Sequence, residues 1–155
     1  MQKILISGFM VLAMFLMLSC DESLTPQEQA EVDQMLIEEY VADQGLSGTY
    51  TNTGLFIAHV VEGDSTQMPT ISDSVTVVYQ GELLNGDVFD SSNGDSVTFP
   101  LVRLIVGWQE GIQQMGKGGE AVLVIPSAYA YGEAGVGSIP GNSVLRFDIT
   151  LVDFK

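Results

Sequence analysis

From residue 55 to the end of the chain, apolar residues recur in short runs that are typical of β-strands. Leu55–Val61 and Ala121–Ile125 are compact runs rich in β-branched residues. In two other segments, 75–80 and Ser143–Phe154, apolar residues recur at every second position, which suits strands with one buried face. Asn85-Gly86 is a strong signal for a tight turn between strands. The second half of the chain is therefore predicted to be mostly sheet.

The pattern changes to a helical one in residues 25–44. Thr25-Pro26-Gln27-Glu28 is a capping box with proline at the first helical position, and Gly45 is a natural stop. Apolar residues follow at helical spacing: Val32, Leu36 and Tyr40, joined by Ile37 and Val41. Two interpretations are open for this helix. It is a spacer or dimerising segment, or it packs on its own domain.

One more helix, a short one, is predicted over Gln109–Met115, between Gly107 and Gly116. Combined with the strands, this predicts an α+β fold in which an antiparallel sheet wraps around one short helix. A signal peptide and the N-terminal helix would precede this domain. The length of 155 residues allows one ordinary domain with an appendage.

The first twenty residues differ from the rest of the chain. Ile4–Leu18 is a nearly continuous apolar run, long enough for a signal-peptide core and short for a membrane span. It ends in Ser19-Cys20, which resembles a bacterial lipobox, although Met17 and Leu18 depart from its usual residues. We expect residues 1–19 to be a lipoprotein signal peptide and Cys20 to carry lipid. The alternative is an uncleaved anchor, or a plain secretory signal with an incidental cysteine.

The charge is strongly negative, with 20 acidic residues against 5 basic ones. Five cations cannot form the basic face that nucleic acid requires, so no nucleic-acid partner is expected. One cysteine and one histidine cannot supply a zinc cage or an iron–sulfur site, so no metal site is expected. A Ser-His-Asp or Cys-His catalyst would depend on His59 alone, which we interpret as a solvated or core residue.

Four stretches occur in an order that resembles the FKBP-type peptidyl-prolyl cis-trans isomerases. They are residues 78–81 (VYQG), 88–92 (VFDSS), 107–111 (GWQEG) and 128–132 (AYAYG). Ile139-Pro140 and residues 145–148 (LRFD) follow in the family's order. The resemblance runs from about residue 73 to 155 within a domain of residues 47–155, after a tether and helix of residues 20–46. It implies an enzyme that needs no cofactor.

The resemblance also implies a pocket for the proline ring. Its catalytic residues would be Tyr79, Phe89, Asp90, Trp108 and Tyr131. Its substrate-binding residues would be Phe99, Leu104, Ile105, Ile139 and Phe147. In this assignment Trp108 is the floor, the Ile105 amide and the Tyr131 hydroxyl donate to a substrate carbonyl, and Ile139 caps the opening.

Several of these residues also have a purely structural interpretation. Aromatic residues on strands are usually core, which applies to Tyr79, Phe99 and Phe147, and Asp90 could simply cap a turn. The chain also departs from the family pattern, with Val97 in place of a second aromatic residue and Val106 in place of proline. These departures predict a pocket that is shallower on one wall.

The resemblance implies a lipid-anchored isomerase and folding chaperone of the cell envelope, in the periplasm or outer membrane of a Gram-negative bacterium. Its partners would be unfolded proline-containing polypeptides, the membrane through the anchor, and macrolides such as rapamycin. A second hypothesis is a binding module of the same fold without useful turnover. A third is a structural envelope lipoprotein whose helix mediates assembly.

Overall fold

The computed structural model describes residues 24–155. The predicted signal peptide and Cys20 lie outside these residues. The elements, in chain order, are α1 (Pro26–Asp43), β1 (Thr49–Tyr50), β2 (Phe56–Val61), β3 (Ser74–Leu83), β4 (Val88–Ser91), β5 (Val97–Pro100), α2 (Val106–Ile112), β6 (Glu120–Ile125) and β7 (Leu145–Phe154). Single 3₁₀ turns at Leu101–Arg103 and Ser127–Tyr129 connect them.

Seven strands form one antiparallel sheet in the order β1-β2-β6-β7-β3-β4, with β5 also paired to β3. The longest pairing joins β3 to β7, from Val75 opposite Phe154 to Leu83 opposite Leu145. The four predicted strands are confirmed. The turn at Asn85-Gly86 is also confirmed, with Gly86 at φ 91°, where glycine avoids the strain of a side chain.

The sheet wraps around α2, as the sequence predicts. Apolar side chains from the inner face of the sheet enclose Trp108, Ile112 and Met115 in the main core. The helix begins at Val106, three residues before its predicted start, and ends at Ile112. The helix can lie this close to β6 because residue 111 is a glycine. A Cβ at Gly111 would lie 2.5 Å from Leu123 Cδ1, which is too close. Gly107, where an added Cβ would meet Ile125, and Gly111 therefore let the helix approach β6 closely.

Helix α1 confirms the predicted capping box. The Thr25 side chain accepts a hydrogen bond from the Glu28 amide, and the Glu28 carboxylate accepts one from the Thr25 amide. The helix ends near the predicted stop, where Gly45 adopts φ 62°. Both ends of α1 are therefore set by residues within one turn of them.

Two residues of the predicted apolar stripe of α1, Leu36 and Ile37, differ in burial. Leu36 is 40% exposed, whereas Ile37 is fully buried. Ile37 packs on the outer face of the sheet, in a second cluster with Phe56, Ala58, Val122, Val124 and Val144. Of the two interpretations left open for this helix, the structure shows the one in which it packs on its own domain.

Residues 24–155 contain neither a membrane-spanning helix nor a cluster of metal ligands. No helix in this part of the chain is both long and apolar enough to cross a membrane. Nor do three or more histidine, cysteine, aspartate or glutamate side chains gather there in a way that could hold a metal ion.

Candidate active site

A cavity of about 170 Å³ opens where α2 meets the inner face of the sheet. It is formed by side chains from β3, β4, β5, α2, β7, the segment before α2 and the loop after β6. Its lining residues are Tyr79, Asp90, Phe99, Leu104, Ile105, Trp108, Tyr131 and Phe147. All eight are among the ten site residues that the sequence predicts.

The floor of the cavity is Trp108, which is 4% exposed. Tyr79 and Phe147 meet its ring edge to face, at centroid distances of 5.1 and 5.2 Å. Tyr79 also packs against Phe99 at 6.3 Å. Edge-to-face packing holds aromatic rings in fixed orientations, so the cavity, called the aromatic socket below, is rigid and largely apolar.

Two predicted site residues do not line this cavity. Phe89 packs edge to face against Phe147 at 5.5 Å, behind the wall, and therefore supports it. Ile139 is 7% exposed and belongs to the main core. Paired backbone hydrogen bonds between Val136 and Ile139 close a tight loop around it. A direct role in substrate binding stays a prediction for both residues.

The polar groups of the site stand at its rim. The Tyr79 hydroxyl donates a 2.8 Å hydrogen bond to Asp90 Oδ2. Burial, helped by this hydrogen bond and the negative charge of Asp90, raises the pKa of Tyr79 to about 12. Burial and the charge of Asp90 also raise the pKa of the Tyr131 hydroxyl. Both hydroxyls are therefore protonated at neutral pH and can act as donors.

The segment before α2 is held by a side chain that the sequence analysis did not single out. Gln109 Nε2 donates to the Leu104 carbonyl at 2.7 Å and to the Val102 carbonyl at 3.3 Å. The Ile105 carbonyl accepts hydrogen bonds from the Trp108 and Gln109 amides of α2. Within residues 24–155 the Ile105 amide donates no hydrogen bond.

Ser92 is a second residue that sequence reasoning missed. It is buried, its amide donates to the Tyr79 carbonyl at 3.0 Å, and its hydroxyl accepts from the Tyr79 amide at 3.1 Å. Ser92 therefore holds the backbone of Tyr79 while Asp90 holds its hydroxyl. The sequence signal that could have identified Ser92 is its position in the family-like stretch of residues 88–92.

The two departures from the family pattern lie outside the cavity lining. Val97 pairs with Val77 and packs against the core from β5. Val106 is the first residue of α2 and is 50% exposed. Neither side chain therefore blocks the socket.

A larger groove of about 440 Å³ lies beside the outer face of the sheet. Its lining is mixed, with Gln80, Glu120, Asp148 and Thr150 among the polar contributors. Tyr79 is its only aromatic lining residue, so the smaller, more aromatic cavity is the better candidate site for an apolar ring. His59 lies on β2 and lines neither cavity.

The fold and the site together present an aromatic-lined cavity with the Tyr79, Asp90 and Tyr131 side chains among its lining. Similarity to known proteins identifies the class of protein. A family model described as FKBP-type peptidyl-prolyl cis-trans isomerase matches residues 65–152. This chain belongs to the FKBP-type peptidyl-prolyl cis-trans isomerase family.

Named relatives agree with the family model. The chain is 42% identical over 120 residues to the FKBP-type peptidyl-prolyl cis-trans isomerase FkpA of Escherichia coli, a match covering 76% of this chain and 43% of the relative. It is 45% identical over 125 residues to a probable FkpA of Neisseria meningitidis, covering 79% and 45%. The chain thus spans less than half the length of these relatives.

Solved structures confirm the predicted fold class. The crystal structure of Escherichia coli FkpA matches with a TM-score of 0.72 and 38% identity, over 83% of this chain and 62% of that one. A peptidyl-prolyl cis-trans isomerase from Pseudomonas syringae matches with a TM-score of 0.73 and 27% identity, over 86% and 98%.

Proposed function

We propose that this protein catalyses cis-trans isomerisation of Xaa-Pro bonds in unfolded polypeptides. The observation that carries the proposal is the convergence of eight predicted residues on one cavity with Trp108 as its floor. Membership of the family from which these residues were assigned also supports it.

The chemistry suits such a socket. Rotation about a peptide bond must break amide resonance, against a barrier of about 18–20 kcal/mol. The Xaa-Pro bond is the one whose cis form is substantially populated, and its exchange is slow. A twisted amide carries less charge on its oxygen than a planar one. An apolar, water-poor pocket therefore penalises the planar ground state more than the twisted state.

Each group at the site has a part in this step. The proline ring would lie on Trp108, with Tyr79, Phe99 and Phe147 as walls. The Ile105 amide and the Tyr131 hydroxyl would donate to substrate carbonyls and hold the peptide in the twisted geometry. Asp90 would orient Tyr79 through their hydrogen bond. Rotation forms no covalent intermediate, so the step requires no nucleophile.

The test is acceleration of exchange in a short Xaa-Pro peptide by residues 21–155, with Asp90→Ala, Tyr131→Phe and rapamycin as a competitor. Acceleration that rapamycin blocks and both variants reduce would support the isomerase and its site. Rapamycin binding without acceleration would indicate the binding module instead. The absence of both would refute the assignment of the pocket.

We further propose that the protein is exported and anchored in the cell envelope by lipid on Cys20, where it assists the folding of exported clients. The apolar run Ile4–Leu18 and the Ser19-Cys20 pair support this proposal. Removing residues 1–19 would remove Lys3 and leave a net charge of −16, which suits a tethered, self-repelling domain.

The anchor can be tested by labelled fatty acid. The full chain expressed in a Gram-negative host should incorporate labelled palmitate and partition into detergent. Cys20→Ser should lose both properties. Release of unmodified wild-type protein in soluble form would instead favour a plain secretory signal.

A further inference from the structure

Helix α1 carries a carboxylate that is buried against the isomerase domain. Asp33 is 1% exposed. Its Oδ2 accepts hydrogen bonds from the Ser127 amide and the Ser127 hydroxyl, both at 2.7 Å. Its Oδ1 accepts one from Gln29 Nε2, also at 2.7 Å. A buried carboxylate is tolerated only when such donors replace water, so this contact is specific and directional.

Ser127 begins the 3₁₀ turn that leads to Tyr131. The Ser127 carbonyl accepts hydrogen bonds from the Ala130 amide at 3.0 Å and from the Gly132 amide at 2.9 Å. These two amides flank Tyr131 on either side. A continuous set of hydrogen bonds thus runs from α1, through one serine, to both neighbours of a residue that lines the aromatic cavity.

Apolar packing does not hold the start of α1 against the loop that carries Tyr131. A cavity of about 300 Å³ separates the start of α1 from the Tyr131 loop, bordered by Leu24, Pro26, Ala30, Gly132 and Glu133 among others. The buried apolar anchor of α1, Ile37, lies against the sheet and not against this loop. The hydrogen bonds of Asp33 are therefore the principal fixed link between the helix and the loop.

We propose that Asp33 is a positioning residue of the isomerase site, which fixes Ser127 and thereby the loop that presents the Tyr131 hydroxyl. Helix α1 lies outside residues 65–152, which the family model matches. The segment before the family domain is thus a working part of the site. The catalytic consequence rests on the proposed function, whereas the ordering of the loop does not.

The experiment compares Asp33→Ala, Asp33→Asn and Ser127→Ala in the full chain, with Ile37→Ala as the matched control. Ile37→Ala weakens the docking of the same helix but leaves the carboxylate and its donors in place. Asparagine keeps an oxygen that can accept from Ser127, and its amide can donate to Gln29 Oε1 once the Gln29 side chain turns over. Ser127→Ala removes only the hydroxyl and leaves the backbone bond, so it preserves the fold if Asp33→Ala does not.

The first readout is hydrogen exchange at the Ala130 and Gly132 amides, which needs no activity. We expect Asp33→Ala to speed exchange at these amides at least tenfold more than at the β6 amides, Ser127→Ala to have a smaller effect, and Asp33→Asn to restore most of the protection. Equal exchange in Asp33→Ala and Ile37→Ala would overturn the proposal.

The second readout is kcat/KM on an Xaa-Pro peptide. Asp33→Ala should lower it about tenfold, because misplacing a catalytic group by a fraction of an ångström is costly. Combined with Tyr131→Phe, Asp33→Ala should add little further loss, since both act through one hydroxyl. Fully additive losses would contradict positioning through Tyr131. An inactive wild type would refute the proposed function, and the exchange measurement would still decide the role of Asp33.

Discussion

The hydroxyl of Tyr79 and the carboxylate of Asp90 form a 2.8 Å hydrogen bond at the rim of the aromatic cavity. One of these residues packs on the tryptophan floor, and the other is exposed to solvent. The pair therefore joins the apolar interior of the site to its polar edge. It also makes the protonation of Tyr79 a reporter of the geometry of the site.

Replacing Asp90 by asparagine should lower the pKa of Tyr79 from about 12 toward its ordinary value. The pKa should stay above 10, because burial is the largest cause of the shift and is retained. The pKa of Tyr131 should fall as well. NMR titration of labelled tyrosine rings measures both. Asp87→Asn removes one charge from the neighbouring turn and is the control; an equal shift there would contradict the assignment.

The same pKa predicts a loss of stability in strong alkali. The folded-state pKa of Tyr79 lies above its ordinary value of 10.0. The folded protein therefore holds this proton more tightly than the unfolded chain does. The contribution of Tyr79 to the free energy of unfolding is therefore fully present below pH 10 and is lost as the pH rises through 12. Urea unfolding between pH 9 and pH 12 should show a shallower decline for Tyr79→Phe than for the wild type. Parallel declines would rule out Tyr79 as a source.

Gly81→Ala should distort the wall of the cavity. A Cβ at this position would lie 2.6 Å from Phe147 Cε1 and 2.8 Å from the Phe89 ring. Two packed rings cannot both yield, so we expect a loss of about 1–3 kcal/mol in the free energy of unfolding. Binding of rapamycin to the cavity, followed by Trp108 fluorescence, should weaken too. Gln80→Ala, at the next and exposed strand position, should do neither.

Ile37→Ala should destabilise the protein by about 2–5 kcal/mol, because it empties a fully buried site between α1 and the sheet. Leu36→Ala removes a similar side chain from the adjacent, 40% exposed position. It should change stability by no more than about 0.5 kcal/mol. Denaturant unfolding at two protein concentrations measures both. A large, concentration-dependent effect of Leu36→Ala would instead show that the helix mediates assembly.

Several features follow from the sequence because residues close together in the chain produce them. The capping box acts within four residues, the tight turn at Asn85-Gly86 acts within two, and strand alternation repeats every second residue. The family stretches added the pocket, and eight of its ten expected residues line one cavity. Such patterns are legible in the sequence because each involves few neighbours.

Only the tertiary structure decided the rest. It placed Phe89 behind the wall and Ile139 in the core, and within the predicted apolar stripe of α1 it buried Ile37 and left Leu36 exposed. It also brought Asp33 to Ser127 across 94 positions of the chain. No local pattern encodes these outcomes. Which face of a helix is buried, and which donor meets a carboxylate, depends on the surfaces that distant segments present once the sheet has formed.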